Sequence, residues 1–260
     1  MRTISLYKSN EFDKTFFENY SKFKHGSKTQ ARAFGKAVAS VCSFPENSSL
    51  AFYSAPYKNI FTASNSFMNY LLSSCSHQFM ERKISVKQGK INRKYSYDND
   101  YGKMTTEERK KAISSDLFEI DKSVLKPEDI LIFFDDIKIT GGHEDRMKEL
   151  VVREGIQNDI IFVYLAEYTG VDATIEHALN HYSVNGLLDV NDIIRNEEFD
   201  FNTRVVKYIL KAEIEHFVPF IKYQSDTFQE TLYSLSILNE YHLNPMYKAN
   251  FEILKNLLKH

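Results

Sequence analysis

The sequence has few of the residues that build disulfide frameworks, flexible linkers or membrane spans. Its 260 residues include two cysteines, Cys42 and Cys75, without a CxxC spacing, so we expect reduced, structural thiols. Five prolines and nine glycines do not gather into a linker between two halves. The longest apolar runs, 130–134 and 160–166, are far shorter than the ~20 residues of a transmembrane helix. We therefore expect neither a disulfide framework nor a membrane partner.

The chain also lacks a large excess of charge of one sign. Its 33 Lys and Arg residues oppose 35 Asp and Glu residues, for a net charge of −2. Such a balance gives no overall field for binding DNA or an anionic membrane, so an anion site must be local. The first 14 residues have no apolar stretch typical of a signal peptide. We therefore expect a cytoplasmic protein. A hydrophobic content of 43% is typical of a folded one.

Strands and helices alternate in the first two thirds of the chain. Three apolar stretches predict buried strands: 50–53, 129–134 and 160–166. The second, which is apolar without interruption from 130 to 134, suits a strand of a parallel sheet. Apolar residues at helical spacing predict three helices: 27–43, a segment through Phe67, Tyr70 and Leu71, and 144–153. The order strand, helix, strand predicts an α/β fold with a parallel sheet.

The pattern changes after Gly170, where strand signals stop. Three later segments place apolar residues three and four apart, which is typical of amphipathic helices: 202–217, 226–241 and 245–258. We therefore predict an α/β domain over 1–170 and an all-helical C-terminal extension over 171–260. His177 and His181 are one helical turn apart, but no third ligand accompanies them. We interpret them as ordinary helix residues and predict no metal site of the protein's own.

The most informative stretch is ILIFFDDIKITGGHEDRM, residues 130–147. A buried strand leads into Asp135 and Asp136, then into a Thr-Gly-Gly turn and a helix. Ligands of open parallel sheets bind at the carboxyl ends of strands. Carboxylates accept hydrogen bonds from sugar hydroxyls, and backbone N–H groups at a glycine turn before a helix favour phosphate. The stretch predicts a sugar-phosphate site, with a solvated strand end as the alternative.

This combination resembles the 5-phosphoribosyl-1-pyrophosphate (PRPP) signature of type I phosphoribosyltransferases. The resemblance implies a type I phosphoribosyltransferase core in which Asp135 and Asp136 bind the ribose hydroxyls. It also implies a 5′-phosphate loop made of five residues: Ile139, Thr140, Gly141, Gly142 and His143. Three positions depart from the family pattern. Lys138 replaces an apolar residue, Ile139 replaces a small or acidic residue, and His143 replaces Thr or Ser. Because Ile139 cannot exchange a proton, proton transfer is unassigned.

Two further segments are similar to parts of the same family. LAFYSAPYK, residues 50–58, resembles the first strand and the pyrophosphate loop, which implies five pyrophosphate-binding residues: Ser54, Ala55, Pro56, Tyr57 and Lys58. Residues 82–111 contain ten basic and four acidic side chains. Within them, 87–97 has the chain position of the family's mobile catalytic loop, which implies catalytic roles for Lys90, Arg93 and Lys94. A weak RNA-binding patch, with tyrosine rings between cations, is the alternative for this segment.

The resemblance implies an enzyme that binds PRPP with Mg²⁺ and transfers ribose 5-phosphate to or from a nucleobase-like nitrogen, with pyrophosphate as the partner product. Mg²⁺ would be held largely by the substrate and water. Residues 105–121 resemble competence-associated members, and a fainter similarity links the chain to members encoded beside tellurite or stress-resistance clusters. Homodimers are common in the family, so a homodimer is possible by analogy.

A second hypothesis is a non-catalytic regulatory protein of the same fold that senses PRPP or a nucleotide. Ile139 and His143 favour the sensor, whereas the basic segment favours the enzyme. Tyr164 and Tyr168 are candidates for stacking on an acceptor base, with core packing as the alternative.

Overall fold

The computed structural model describes residues 1–93, 118–172 and 174–259. Its strands in chain order are β1 (Arg2–Ser9), β2 (Ser49–Ser54), β3 (Ser85–Gly89), β4 (Ile91–Arg93), β5 (Phe118–Ile120), β6 (Ile130–Lys138) and β7 (Ile160–Tyr168). Five of them form a sheet in the order β1-β7-β6-β2-β3, and every neighbouring pair is parallel. β4 and β5 form a separate antiparallel pair.

Helices cover both faces of the sheet and make up the C-terminal part. In chain order they are α1 (Lys14–Lys24), α2 (Lys28–Ala39), α3 (Ala63–Ser74), α4 (Ser76–Glu81), α5 (Gly142–Arg153), α6 (Ile175–His181), α7 (Leu187–Asn196), α8 (Thr203–Lys211), α9 (Ile214–Tyr223), α10 (Asp226–Leu238) and α11 (Pro245–Leu257). The predicted α/β fold with a parallel sheet and a helical C-terminal region is confirmed. No helix in the described part of the chain is long and apolar enough to span a bilayer.

Alternate residues of β6 pack on opposite faces of the sheet, which explains its uninterrupted apolar run. Ile132 and Phe134 belong to a core shared with α1, α2 and α3. Leu131 and Phe133 belong to a second core shared with α5. All four side chains are buried, and each contributes roughly 1.5–3 kcal/mol by leaving water. The same alternation sends the next two residues of the strand to opposite faces.

The C-terminal helices have a core of their own, built from buried residues such as Val206, Phe217 and Leu232. Ile60, from the loop after β2, is part of that core. The predicted helix over 202–217 is two helices, α8 and α9, because Ala212 and Glu213 between them have extended backbone, with ψ of 151° and 141°. The domain boundary at residue 170 stays a prediction.

The topology opens a crevice between β2 and β6. The chain leaves β2 towards β3 on one side, whereas it leaves β6 towards β7 on the other, and such a switch point is where ligands bind in open α/β sheets. β2 pairs with β6 only as far as Phe134, whereas β7 pairs with β6 as far as Lys138. The two aspartates therefore lie within β6, beyond the end of β2, rather than after the strand as predicted.

The outer strands β1 and β3 carry no apolar run and are absent from the sequence-based prediction. Residues 87–89 belong to β3 and residues 91–93 to β4, so the segment predicted as a loop begins as strand. Lys87 is held there by both carboxylate oxygens of Asp129 at 2.9 Å. A side chain at Gly89 would collide with the Tyr53 ring, since its Cβ would lie 2.2 Å from that ring. Lys94 and residues 95–97 lie outside the described residues.

Both cysteines are free and buried. Burial raises the pKa of Cys42 to about 12 and that of Cys75 to about 11. Thiols that stay protonated at neutral pH are poor nucleophiles, which agrees with the structural role expected for them.

Candidate functional site

A cavity of about 420 Å³ lies at the switch point of the sheet. Its wall is built from the last turn of α1, the loop after β2, the start of α3, the end of β6 and the start of α5. Asp135, Asp136 and the turn residues Thr140, Gly141 and Gly142 all line it. The structure thus brings the predicted acidic pair and the predicted phosphate turn to one cavity.

Asp135 lies on the α5 face of the sheet and is bound on both carboxylate oxygens. Its Oδ1 accepts hydrogen bonds from Ser64 Oγ at 2.8 Å and from the backbone N–H of Asp136 at 2.9 Å, and its Oδ2 lies 2.7 Å from His143 Nδ1. Burial opposes the charged form, but the charge and hydrogen bond of His143 outweigh it and hold the pKa of Asp135 below its usual range. The ionised group keeps one acceptor position on Oδ2 that no described residue fills.

Asp136 faces α1 instead. Its Oδ2 accepts hydrogen bonds from Lys24 Nζ and, at 3.1 Å, from the Tyr20 hydroxyl, and its Oδ1 accepts one from the backbone N–H of Ile137 at 3.0 Å. Burial and the neighbouring Asp135 charge raise the pKa of Asp136, against the opposing effect of Lys24. Burial also raises the pKa of Tyr20. Among the described contacts, one acceptor position on Oδ1 is left.

The turn before α5 has the backbone expected of a phosphate loop. Gly141 has a φ of 76°, in the left-handed region that suits glycine, and no side chain caps the helix. The backbone N–H groups of Gly142, His143 and Glu144 donate to no other described residue, as is usual for a first helical turn. The positive end of the α5 helix dipole, which favours anions, therefore faces the cavity.

Lys138, which departs from the family pattern, neutralises an acid in this turn. Its Nζ lies 2.7 Å from Glu144 Oε2, while Lys148 Nζ lies 2.6 Å from Glu144 Oε1. The hydroxyl of Tyr164, a predicted stacking candidate that lines the cavity, donates to Glu144 Oε2 at 3.2 Å. Burial raises the pKa of Tyr164. Two lysines thus offset the charge of Glu144, so this carboxylate does not neutralise the positive end of the α5 helix dipole.

The predicted pyrophosphate loop is only partly in the cavity. Ala55 and Pro56 line it, whereas the hydroxyl of Ser54 accepts a hydrogen bond from Asn65 Nδ2 at 3.1 Å. Tyr57 does not line the cavity; its backbone N–H bonds to Ile91 O at 3.2 Å. Lys58 pairs with Glu240, near the end of α10, and is not part of the cavity wall.

The predicted catalytic cations also lie in different places. Arg93 lines the cavity. Lys90 does not: its Nζ donates to Lys58 O at 2.7 Å and stands 4.7 Å from the centre of the Tyr57 ring. Lys94 is outside the described residues. Of the two described cations, the structure therefore brings Arg93 to the cavity of the acidic pair and leaves Lys90 outside it.

Several wall residues escaped the sequence-based reasoning, among them Tyr20, Lys24, Ser64 and Arg146. The apolar spacing of Phe16, Tyr20 and Phe23 was a signal for helix α1. No local pattern indicates that Lys24 meets a carboxylate 112 residues further along the chain.

Described residues offer no group of three or more His, Cys, Asp or Glu side chains placed to hold a metal ion. Carboxylate oxygens are suitable ligands for Mg²⁺. Because His143 and Lys24 already contact these carboxylates, the two aspartates leave one acceptor position each, so a Mg²⁺ ion held here would bring most of its ligands with it.

The helical region contains a larger cavity, of about 1250 Å³, between α7, α8 and α9. Its wall is mainly apolar, with Leu187, Tyr208 and Phe220 among its residues, and it holds none of the predicted site residues. The paired carboxylates and the glycine turn line the smaller cavity and not this one.

The family model described as PRTase ComF-like matches residues 1–254, a range that includes the sheet, the cavity and nearly all of the C-terminal helices. The chain matches no curated protein.

Proposed function

Because the chain belongs to the PRTase ComF-like family, we propose that it binds PRPP with Mg²⁺ and transfers ribose 5-phosphate to or from a nucleobase-like nitrogen, with pyrophosphate as the partner product. The observation that carries this proposal is the single cavity lined by Asp135, Asp136 and the turn Thr140-Gly141-Gly142. Its volume of about 420 Å³ is within the range of ligand pockets.

The polar groups of the wall suit the two ends of a pentose phosphate. Each aspartate keeps one acceptor position, which matches one ribose hydroxyl apiece. The N–H groups at the start of α5 suit the phosphate. In this placement the ribose lies over the end of β6 and the 5′-phosphate over the glycine turn.

Transfer from PRPP develops positive charge on the ribose and negative charge on the leaving pyrophosphate. The acidic pair lies close to the first charge, and Arg93 in the wall is a cation for the second. Mg²⁺, when bound, would supply charge neutralisation on the pyrophosphate; the substrate and water would be its ligands, since the acceptor positions left on Asp135 and Asp136 are taken by the ribose hydroxyls in this placement.

The site is tested by replacing both acids. We expect Asp135→Asn with Asp136→Asn to weaken PRPP·Mg²⁺ binding by about 100-fold or more in isothermal titration, since two charge-assisted hydrogen bonds are lost. Asp129→Asn is the matched control, because Asp129 is a buried acid at the opposite end of the same strand. The control should lower thermal stability and leave PRPP affinity within about twofold. Equal affinity of the double variant and the wild type would reject the site.

The regulatory alternative also has support in particular residues. Ile139 supplies no proton carrier, and the Lys58 ammonium is held by Glu240. Assays of pyrophosphate release with PRPP and a panel of purine and pyrimidine bases separate the two functions. Release that depends on one base supports the enzyme, whereas tight PRPP binding without release for any base supports the sensor. Salt-sensitive binding of RNA that is lost in a Lys90, Arg93 and Lys94 triple Ala variant would point to RNA instead.

A further inference from the structure

Most basic side chains in the wall of the smaller cavity already bind a carboxylate. Lys24 binds Asp136, Lys138 binds Glu144, and His143 binds Asp135. Arg146 differs, because it lines the cavity and makes no hydrogen bond or ion pair with another described residue. Its guanidinium is therefore available to a ligand without breaking an ion pair.

The helix geometry points Arg146 towards the glycine turn. Arg146 follows Gly142 by four residues in α5 and so lies on the same face of that helix. Side chains on a helix lean towards its N-terminus, which directs the arginine over the first turn. His143, three residues before Arg146, is on this face as well and also lines the cavity.

The space over the first turn is open. A Cβ at Gly142 would have only Thr140 Oγ1 near it, at 3.6 Å, and a Cβ at Gly141 only Lys138 Cε, at 3.7 Å. The absence of side chains at both glycines leaves room for a group that contacts the backbone N–H groups from one side and Arg146 from the other. Glu144, an acid in the first turn of α5, contacts Lys138, Lys148 and Tyr164 instead.

We propose that Arg146 binds the terminal phosphate monoester of the ligand and sets the preference of this cavity for a phosphorylated sugar. The identity of the sugar rests on the proposed function. A guanidinium matches a phosphate by two parallel hydrogen bonds, and the dianion of a monoester has enough acceptors for both the guanidinium and the helix N–H groups. Arg146 thus adds a side-chain ligand to a loop whose other donors are backbone groups.

The test measures binding of ribose 5-phosphate, ribose and inorganic phosphate by titration calorimetry. We expect Arg146→Ala to weaken ribose 5-phosphate binding by about tenfold or more. Arg146→Lys should give an intermediate affinity, because lysine keeps the positive charge but cannot make the two parallel hydrogen bonds of a guanidinium. Ribose binding should be unaffected. Lys36→Ala, which removes an exposed charge from α2, is the control and should match the wild type for every ligand.

The outcomes distinguish this inference from the proposed function. Arg146→Ala with unchanged ribose 5-phosphate affinity, in a protein whose binding is lost on replacing Asp135 and Asp136, overturns the role of Arg146 alone. Phosphate binding that requires Arg146, in a protein that does not bind PRPP, supports the role of Arg146 and rejects the proposed function. A wild-type protein that binds no phosphate compound contradicts both.

Discussion

Asp135 and Asp136 are neighbours in sequence, yet they have different electrostatic surroundings. Successive residues of β6 face opposite sides of the sheet, so one carboxylate meets His143 at the start of α5 and the other meets Lys24 at the end of α1. The first has a pKa below its usual range and the second a raised pKa. A single strand thus holds two acids of unequal proton affinity in one cavity.

His25, next to Lys24, is a buried histidine whose lowered pKa couples protonation to stability. It is fully buried, and its Nδ1 lies 2.9 Å from Ser21 O. Burial lowers its pKa to about 3, with smaller effects from Arg204, His181 and Lys24 in the same direction. The folded protein therefore holds this ring neutral at pH values where an unfolded chain, with a pKa of about 6.5, takes up a proton.

We expect this difference to destabilise the protein as the pH falls from about 6.5 towards 3. The unfolded state takes up the proton at a higher pH than the folded state does. The resulting loss of unfolding free energy reaches about 2 kcal/mol at pH 5. Urea unfolding of the wild type and of His25→Gln at pH 7 and pH 5 measures it, because the variant lacks the titrating ring. His77→Gln, which alters an exposed histidine, should keep the wild-type pH dependence. An equal loss of stability in the wild type and in His25→Gln would contradict the expectation.

At the scale of elements, the loop after β2 is attached to the C-terminal helices. The backbone N–H groups of Asn59 and Ile60 donate to Asn239 Oδ1 at 3.1 and 3.2 Å, and Thr203 Oγ1 donates to Ile60 O at 2.8 Å. Lys58 pairs with Glu240. Since Ala55 and Pro56 of the same loop line the cavity, we infer that the helical region supports one wall of the site.

Asn239→Ala is expected to weaken both the fold and the site. It leaves two backbone donors without their acceptor, which costs about 1–3 kcal/mol of unfolding free energy. Asn250→Ala is the control, since Asn250 is also buried and bonds to Leu210 O and Ala212 O within the helical region. Both variants should unfold more readily, but only Asn239→Ala should lose PRPP affinity in titration calorimetry. A similar loss in both variants would show a general effect of stability.

The sequence predicted the central strands of the sheet but not its outer strands. Central strands β2, β6 and β7 are buried on both faces over most of their length, so each contains an uninterrupted apolar run. The outer strands β1 and β3 have one side in solvent and carry charged residues such as Arg2 and Lys87, as edge strands usually do. Sequence patterns of that kind do not separate an edge strand from a loop.

At the scale of the whole molecule, the sheet and the C-terminal helices have separate cores but many shared hydrogen bonds. Besides the loop after β2, the backbone N–H of Lys28 donates to Glu198 O at 2.7 Å and that of Asp200 to Gly26 O at 2.9 Å. Ile60 places a side chain from the sheet region in the helical core. These links lead us to expect one cooperative unfolding unit.

Hydrogen exchange of a core variant tests this expectation. Leu232→Ala, in the helical core, should cost about 2–5 kcal/mol and should lower amide protection in β6 and β7 as much as in α10. Leu188→Ala, at a position 82% exposed, should leave protection unchanged. Loss of protection restricted to the C-terminal helices would instead indicate that they unfold as an independent domain.

Local sequence determined the buried strands, the helix starting near residue 142 and the acidic pair with its glycine turn, because burial and turn geometry depend on residues close together in the chain. Tertiary structure alone decided which groups meet those acids. Lys24, Ser64 and His143 come from three helices, and the partner of Lys58 lies 182 residues away. Spacing along the chain carries no information about such contacts, since they arise only when the sheet order and the packing of helices on its faces are set.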